Sequence, residues 1–347
     1  MRFAFYAGNL ASFDAFSLEE APLGGTETGI IRLTEKLAEL GHEVVVFNAR
    51  ENARSSKVKY QRQPEIEGSG PWDVFISIRD WIPCFLNLDA KRRFFWSGDS
   101  YDQFPNFGLG DKRVSAKIDA FLTVSAWQAE QICSRSGFPP TKTFILKNGI
   151  EESYFEGHED RVRKRLIYSS TPYRGLEHLT RYLPVLRKIH PELEAHLFSG
   201  YSVYGQPEGE GLQNLRKALE AIPGVSWHGN KTQKELSREF MKSSILIYPC
   251  QFEETSCITA LEAMAAGCVP ITSKLAALPE TIGDAGVLIE GLPGQLNYDE
   301  NFLRAAHGLL TDDALWQKLS LLGKERALDH AWMKIAKRFE DFAQSKL

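Results

Sequence analysis

The sequence predicts an α/β fold of two domains, each a parallel sheet flanked by helices, with a cleft between them. Three observations predict the α/β part. The 347 residues exceed what one ordinary core organises. Short, uninterrupted apolar runs alternate with stretches of helical periodicity, which is how strands covered by helices on both faces read. The alternation occurs twice, on either side of the densely charged stretch 150-IEESYFEGHEDRVRKR-165.

The first series opens with the strand 3-FAFYAG-8. A polar, glycine-containing loop, 9–25, follows, and then 26-TETGIIRLTEKLAELGHE-43, with Ile30, Leu33, Leu37 and Leu40 at helical spacing. Thr26 is the expected cap of this helix and Gly41 its expected end. The run 44-VVVFN-48 completes a strand, helix, strand unit, the seed of a parallel sheet. Further strands are expected at 73–77, 93–97, 120–125 and 143–149, with a helix over 126–137 capped by Ser125. The second series places strands at 166–170, 195–200, 225–229, 245–249 and 268–272, helices over 212–222 and 233–244, and a helical end from about 301. The expected domains are 1–155, rejoined by about 330–347, and 156–329. In such sheets ligands bind beyond the carboxyl ends of the strands.

Composition narrows the function. Hydrophobic residues are 43% and charged residues 25%, a globular balance, and the net charge of −4 argues against a nucleic-acid binder. No apolar run reaches membrane-span length, and the first residues read as a strand rather than a leader. The five cysteines are scattered without metal-ligand spacing, so reduced thiols in a cytoplasmic protein are expected and no metal site. Nothing in the composition excludes peripheral contact with the inner face of a membrane.

The stretch 251-QFEETSCITALEAMAAGCVPITS-273 carries the chemistry. A strand ends at Pro249, a loop holds Glu254, and a helix is expected from Thr255–Cys257 to Ala266, with Gly267 ending it. A helix N-terminus offers unpaired N–H groups and partial positive charge to an anion. Thr255, Ser256 and Cys257 are small enough for a ligand to approach the backbone. Glu262, two turns in, can accept the hydroxyls of a vicinal diol such as ribose, and Glu254 those of a second polyol. The spacing alone equally suits two unrelated surface acids.

The full string P-x4-E-x7-E-A-M-A-x-G, followed by C-V-P-I, resembles the donor segment of GT4-type retaining glycosyltransferases. So do 24-GGTETGIIRLTEKLAELGHEVVVF-47, 123-TVSAWQAEQI-132, 148-NGIEESYF-155 and 279-PETIGDAGVLIEG-291, in the same order along the chain. The resemblance implies the GT-B fold, two Rossmann-like domains with parallel sheets facing a central cleft, with a nucleotide-sugar held by the second domain, an acceptor held by the first, a final helix crossing back, and metal-independent transfer with retention. UDP-glucose is the expected donor, with GDP-mannose the alternative, and the expected acceptor is a saccharide or lipid-linked hydroxyl in polysaccharide or glycoconjugate assembly. A non-catalytic nucleotide-sugar-binding protein is the rival reading.

Carried onto this chain, the resemblance makes Glu262 the ribose carboxylate and Glu254 the one facing the transferred sugar. Thr255, Ser256, Cys257 and Ile258 offer backbone N–H groups to sugar and diphosphate, where relatives have Gly-aromatic-Gly. Gly24 and Gly25 form the glycine loop of the first domain, and Gly229 and Lys231 are assigned to the donor. Arg174, in 168-YSSTPYRGLEHL-179, matches the cation facing the diphosphate. A second basic residue expected nearby is replaced at Thr171 or Pro172, leaving Lys231 or Lys274 to substitute. In 94-FFWSGDSYDQ-103 the usual His is Gly98, while Asp99 is kept as a hydroxyl-orienting group. Trp96 and Tyr101 are either core or sugar-stacking aromatics.

Overall fold

The computed structural model describes residues 1–205 and 207–347. The chain divides into two compact units. One is Met1–Glu20, Gly24–Gly149 and Trp332–Leu347, and the other is Ala21–Leu23 and Ile150–Ala331.

The first unit is built on seven parallel strands, β1 (Arg2–Ala7), β2 (Glu43–Asn48), β3 (Lys59–Arg62), β4 (Trp72–Ile78), β5 (Ala90–Trp96), β6 (Ala120–Thr123) and β7 (Thr143–Ile145), ordered β3-β2-β1-β4-β5-β6-β7. β1 is buried on both faces, as its unbroken apolar run requires. The helix Gly25–Glu39 buries Ile30, Leu33 and Leu37, but its cap is Gly24, not Thr26, and the cap position makes no side-chain hydrogen bond. The order reverses between β1 and β4, which sends successive loops to opposite sides and leaves a crevice at the strand ends. Ser125 caps Ala126–Ser136 as expected, accepting from Gln128 N.

The helix Trp332–Lys346 completes this unit. Phe339 meets Phe3, Phe94 and Phe144 at ring separations of 5.9, 6.3 and 6.4 Å, and Phe342 stacks on Phe144 at 4.0 Å.

The second unit has six parallel strands, β8 (Arg165–Ser169), β9 (Glu194–Phe198), β10 (Val225–Trp227), β11 (Ile245–Tyr248), β12 (Val269–Ser273) and β13 (Val287–Ile289), ordered β10-β9-β8-β11-β12-β13. β3, β13 and the helix Leu179–Ile189 add to the elements expected from sequence, and the helical end begins slightly early, with Leu296–Thr311. β3 is only four residues long and largely unburied, so it carries little apolar signal.

The charged stretch before β8 is not a free connection. Arg161 donates to the carbonyls of Ser243 and Ala266, and Arg163 donates to Leu309 O and pairs with Asp313 at 2.9 Å. Ile150 N donates to His330 O, and the Ile150 side chain is buried with Leu261, Met264, Ala285 and Ala327. Residues 150–155 therefore pack with the second unit. The guanidinium groups serve as carbonyl clamps, which sequence composition alone reads as solvated charge.

Phe339→Ala should destabilise the first unit by about 3–5 kcal/mol, the range for removing a buried phenylalanine. Chemical denaturation followed by fluorescence checks this, and a loss under 1 kcal/mol would contradict the packing described.

Candidate active site

β8 and β11 are hydrogen-bonded neighbours at the reversal point of the second sheet, with Leu166 opposite Ile245. Their carboxyl ends carry 168-YSSTPYRG-175 and 249-PCQFEETSC-257, two segments far apart in sequence. After β8 the chain turns through Pro172–Arg174 into Gly175 at φ +104°. A Cβ at Gly175 would lie 1.9 Å from Pro249 O, so only glycine lets these two loops approach so closely.

The approach brings Arg174 onto Glu254. Arg174 Nη1 donates to Glu254 Oε1 at 2.5 Å, and the Tyr248 hydroxyl donates to the same oxygen at 2.5 Å. Glu254 is 3% exposed, and Arg174 lies over the Phe252 ring at 4.8 Å. Burial pulls the Arg174 pKa down, but Glu254, with Tyr248 and Tyr173, pushes it above its ordinary value. Burial, then Glu254, raises the Tyr248 phenol. The result is a cation held on a carboxyl group, beside a phenol that keeps its proton. Arg174 Nε is buried without a partner. Gln251 braces the loop, meeting His178 Nε2 at 2.9 Å and donating to Glu177 at 2.7 Å.

The helix after β11 runs Ile258–Ala265 with Cys257 at its cap position, slightly later than the sequence suggests. Its first intrahelical bond is Leu261 N to Cys257 O, so the N–H groups before Leu261 are not used by the helix ladder. Cys257 is 3% exposed; Thr255, Ser256 and Ile258 are half-buried.

Glu262 is buried on this helix and accepts a 2.6 Å hydrogen bond from Gln233 Nε2. Burial pushes its carboxyl up to about 7, and the Gln233 bond pulls against that shift.

The remaining assigned residues are dispersed. Lys231 lies 3.8 Å from Glu235 and lines a cavity of about 320 Å³ with Phe198, His228, Glu235, Arg238 and Glu239. Gly229 has φ +68° and open space where a Cβ would be. Lys274 pairs with Glu290 at 2.6 Å. Neither lysine is drawn to the Arg174–Glu254 pair. Thr171 is buried, its hydroxyl without a partner.

In the first unit Gly24 and Gly25 open the helix Gly25–Glu39, with Thr28 N bonded to Gly24 O. Asp99, beyond β5, has both oxygens engaged: Arg79 grips them at 2.7 and 2.7 Å, and Ser97 Oγ donates at 2.9 Å. Arg79 stands just after β4 at φ +52°, a left-handed backbone that costs a non-glycine residue roughly 1–2 kcal/mol. Glu27 is buried nearby; desolvation pushes its carboxyl up while Arg79 opposes. Trp96 is core, touching the space beside Gly29, and Tyr101 carries Arg135 at 5.6 Å. Sequence reasoning missed Arg79, Glu27, Tyr248 and Gln233. Arg79 had a signal, a charge placed directly after a buried strand; Gln233 had none.

Residues 162–325 match the family described as Glycosyl transferases group 1. The matched segment covers just under half of the chain and contains Arg174, Glu254 and Glu262. It is 28% identical over 230 residues to the MMP alpha-(1->4)-mannosyltransferase of Mycolicibacterium hassiacum, covering 65% of this chain and 54% of the relative. It is 27% identical over 233 residues to the phosphatidyl-myo-inositol mannosyltransferase of Propionibacterium freudenreichii, covering 64% and 55%. The chain spans about half the length of the curated relatives it matches. Among solved structures, a glycosyltransferase from Rickettsia africae superposes with TM-score 0.74 at 13% identity, covering 99% and 98%. Anabaena Alr3699/HepE in complex with UDP-glucose gives 0.74 at 10%, covering 99% and 100%. These are likenesses of fold, and the fold of this chain is GT-B.

The raised Glu262 pKa has a consequence for stability. The folded state holds this proton at higher pH than an unfolded carboxyl does, so ionisation disfavours folding. The penalty is absent below the ordinary carboxylate range, grows as pH rises through it, and is complete above about 7. Glu262→Gln should therefore gain on wild type between about pH 4.5 and 7, on the order of a few kcal/mol. Urea denaturation across that window reads the gain; parallel profiles would refute it.

Proposed function

We propose that this chain is a retaining glycosyltransferase whose donor, a nucleotide-sugar with UDP-glucose as the first candidate, is held by the second unit. The observation that carries the reading is the contact of Arg174 with Glu254 beside Tyr248, at the reversal point of the sheet. That is where such sheets bind ligands. A diphosphate needs a cation and oriented N–H donors, which Arg174 and the start of Ile258–Ala265 supply. The buried Arg174 Nε gains a partner when a phosphate oxygen arrives.

Transfer is proposed on one face of the sugar. The bond from the anomeric carbon to the diphosphate oxygen breaks, and its electron pair stays on the diphosphate. Arg174 and the helix N–H groups stabilise that developing charge. The acceptor hydroxyl oxygen bonds to the same face, and its proton passes to a diphosphate oxygen. Glu254 holds the sugar hydroxyls, and Tyr248 and Arg174 fix Glu254. With the charge met by these groups, no metal is required. Asp99, engaged by Arg79, acts by holding that cation at the end of β4 rather than by meeting the sugar. The acceptor proposed is a saccharide or lipid-linked hydroxyl, in the cytoplasm or at the cytoplasmic face of a membrane. Among the described residues no helix is long and apolar enough to cross a membrane.

A mannosyl donor is the second reading, favoured by the two relatives named as mannosyltransferases. A thermal-shift screen with UDP, GDP, ADP and their sugars separates the two, since a ligand that binds only the folded state raises its Tm with concentration over affinity. A shift with a uridine series supports the first reading and a guanosine series the second. Binding without transfer or hydrolysis over long incubation would recast the chain as a binding protein.

Glu254→Ala should lower turnover by ~100-fold or more, as loss of a charged positioning contact does; near-normal turnover removes its assigned role. Activity should survive excess EDTA, and abolition by chelator with rescue by manganese would require different chemistry.

A further inference from the structure

We infer that Gln233 is a donor-contacting residue, its amide oxygen taking one hydroxyl of the ribose diol while Glu262 takes the other. The inference rests on the reading of Glu262 as the ribose carboxylate and goes beyond it by dividing the diol between two side chains.

Gln233 is the first residue of the helix Gln233–Lys242. Its backbone position is fixed by a capping box, in which Thr232 accepts from Glu235 N and the Glu235 carboxylate accepts from Thr232 N. From there the side chain reaches Glu262, donating Nε2 to Oε1 at 2.6 Å. The other end of the same planar amide, Oε1, is buried and has no hydrogen-bond partner among the described residues. An orphaned buried acceptor is rare in folded proteins and marks a place where a donor is due.

The amide orientation follows from charge. Turning the group over would set its oxygen against a carboxylate, so Nε2 faces Glu262 and Oε1 faces away. The pair then offers two acceptors one amide width apart, a carboxyl oxygen on Glu262 and an amide oxygen on Gln233. Two adjacent hydroxyls, each with one O–H to give, match that spacing. A lone base N–H would use only one acceptor, and a phosphate, which has no donor at neutral pH, would meet two oxygens and be repelled. The ligand class is therefore a cis-diol. The sequence reading gave both hydroxyls to Glu262, but one of its oxygens already carries the Gln233 amide, so the structure divides the task.

The test compares calorimetric affinities of the full chain for UDP and GDP with those for their 2′-deoxy and 3′-deoxy counterparts, in wild type and Gln233→Met. Methionine keeps the length and unbranched shape while removing both amide groups. Whichever diphosphate wild type binds should bind Gln233→Met about 10-fold more weakly, the size expected for one lost hydrogen bond to a well-placed acceptor. That loss should vanish for one of the two deoxy nucleotides, the one lacking the hydroxyl that Gln233 accepts, and persist for the other. Glu262→Ala should show the complementary pattern. Gln233→Met binding all ligands as wild type does, or losing equally on both deoxy nucleotides, overturns the inference while leaving the donor site intact; the second result marks Gln233 as a prop for Glu262. Failure of wild type to bind either diphosphate overturns the donor-site reading and this inference together.

Discussion

A carboxylate buried beneath the strand ends, Glu254, dictates how the surrounding loops are arranged. Nearly removed from water, it is tolerable only with close donors, and the Arg174 guanidinium and the Tyr248 hydroxyl supply them. One comes from the loop after β8, the other from the last residue of β11, so satisfying one carboxyl group draws together two segments separated in sequence. Gly175 makes the approach sterically possible, and Gln251 adds a second bridge between the same loops. The cation and the carboxyl group are thus set in place before any ligand arrives, which is the condition for electrostatic preorganisation.

The two acids of the helix segment live under opposite regimes. Glu254 has a guanidinium beside it; Glu262 has only an amide, and burial drives it toward neutrality near physiological pH. One is held by a cation, and the other keeps its charge only at a cost. The first unit uses the arginine–carboxylate clasp again, at the ends of adjacent strands β4 and β5, where Arg79 and Asp99 meet through two hydrogen bonds. There the backbone of Arg79 accepts a left-handed conformation to reach its partner. Strain of that kind persists where surrounding contacts over-determine it, and it marks strand ends given over to function.

Much of this was legible in the chain, and for identifiable reasons. Unbroken apolar runs such as 44-VVVFN-48 announce strands because both faces are covered, and Ser125 announces a helix because its hydroxyl can accept from Gln128 N. Glu254, Glu262 and Arg174 were found through motif spacing. Their partners were not, because Tyr248 reads as one more apolar residue at a strand end and Gln233 as an ordinary polar residue at a helix start. Such roles depend on which strands lie side by side, and pairing of β8 with β11 leaves no local trace. Thr26 failed as a cap for a related reason: the cap position falls two residues earlier, at Gly24 in the extended conformation, where no side chain takes part. The arginines at 161 and 163 misled because a charge run looks the same whether it is solvated or clamped onto carbonyls.

The first unit is discontinuous: its sheet is made from early residues, but Phe339 and Phe342, which cover Phe3, Phe94 and Phe144, belong to the last helix. During synthesis on the ribosome the opening strands emerge with an apolar face and nothing to cover it, while the entire intervening unit is translated and can close on itself. The half of the chain made first is therefore the half that matures last, and chaperone protection of nascent β1, β5 and β7 is a burden this topology places on the cell.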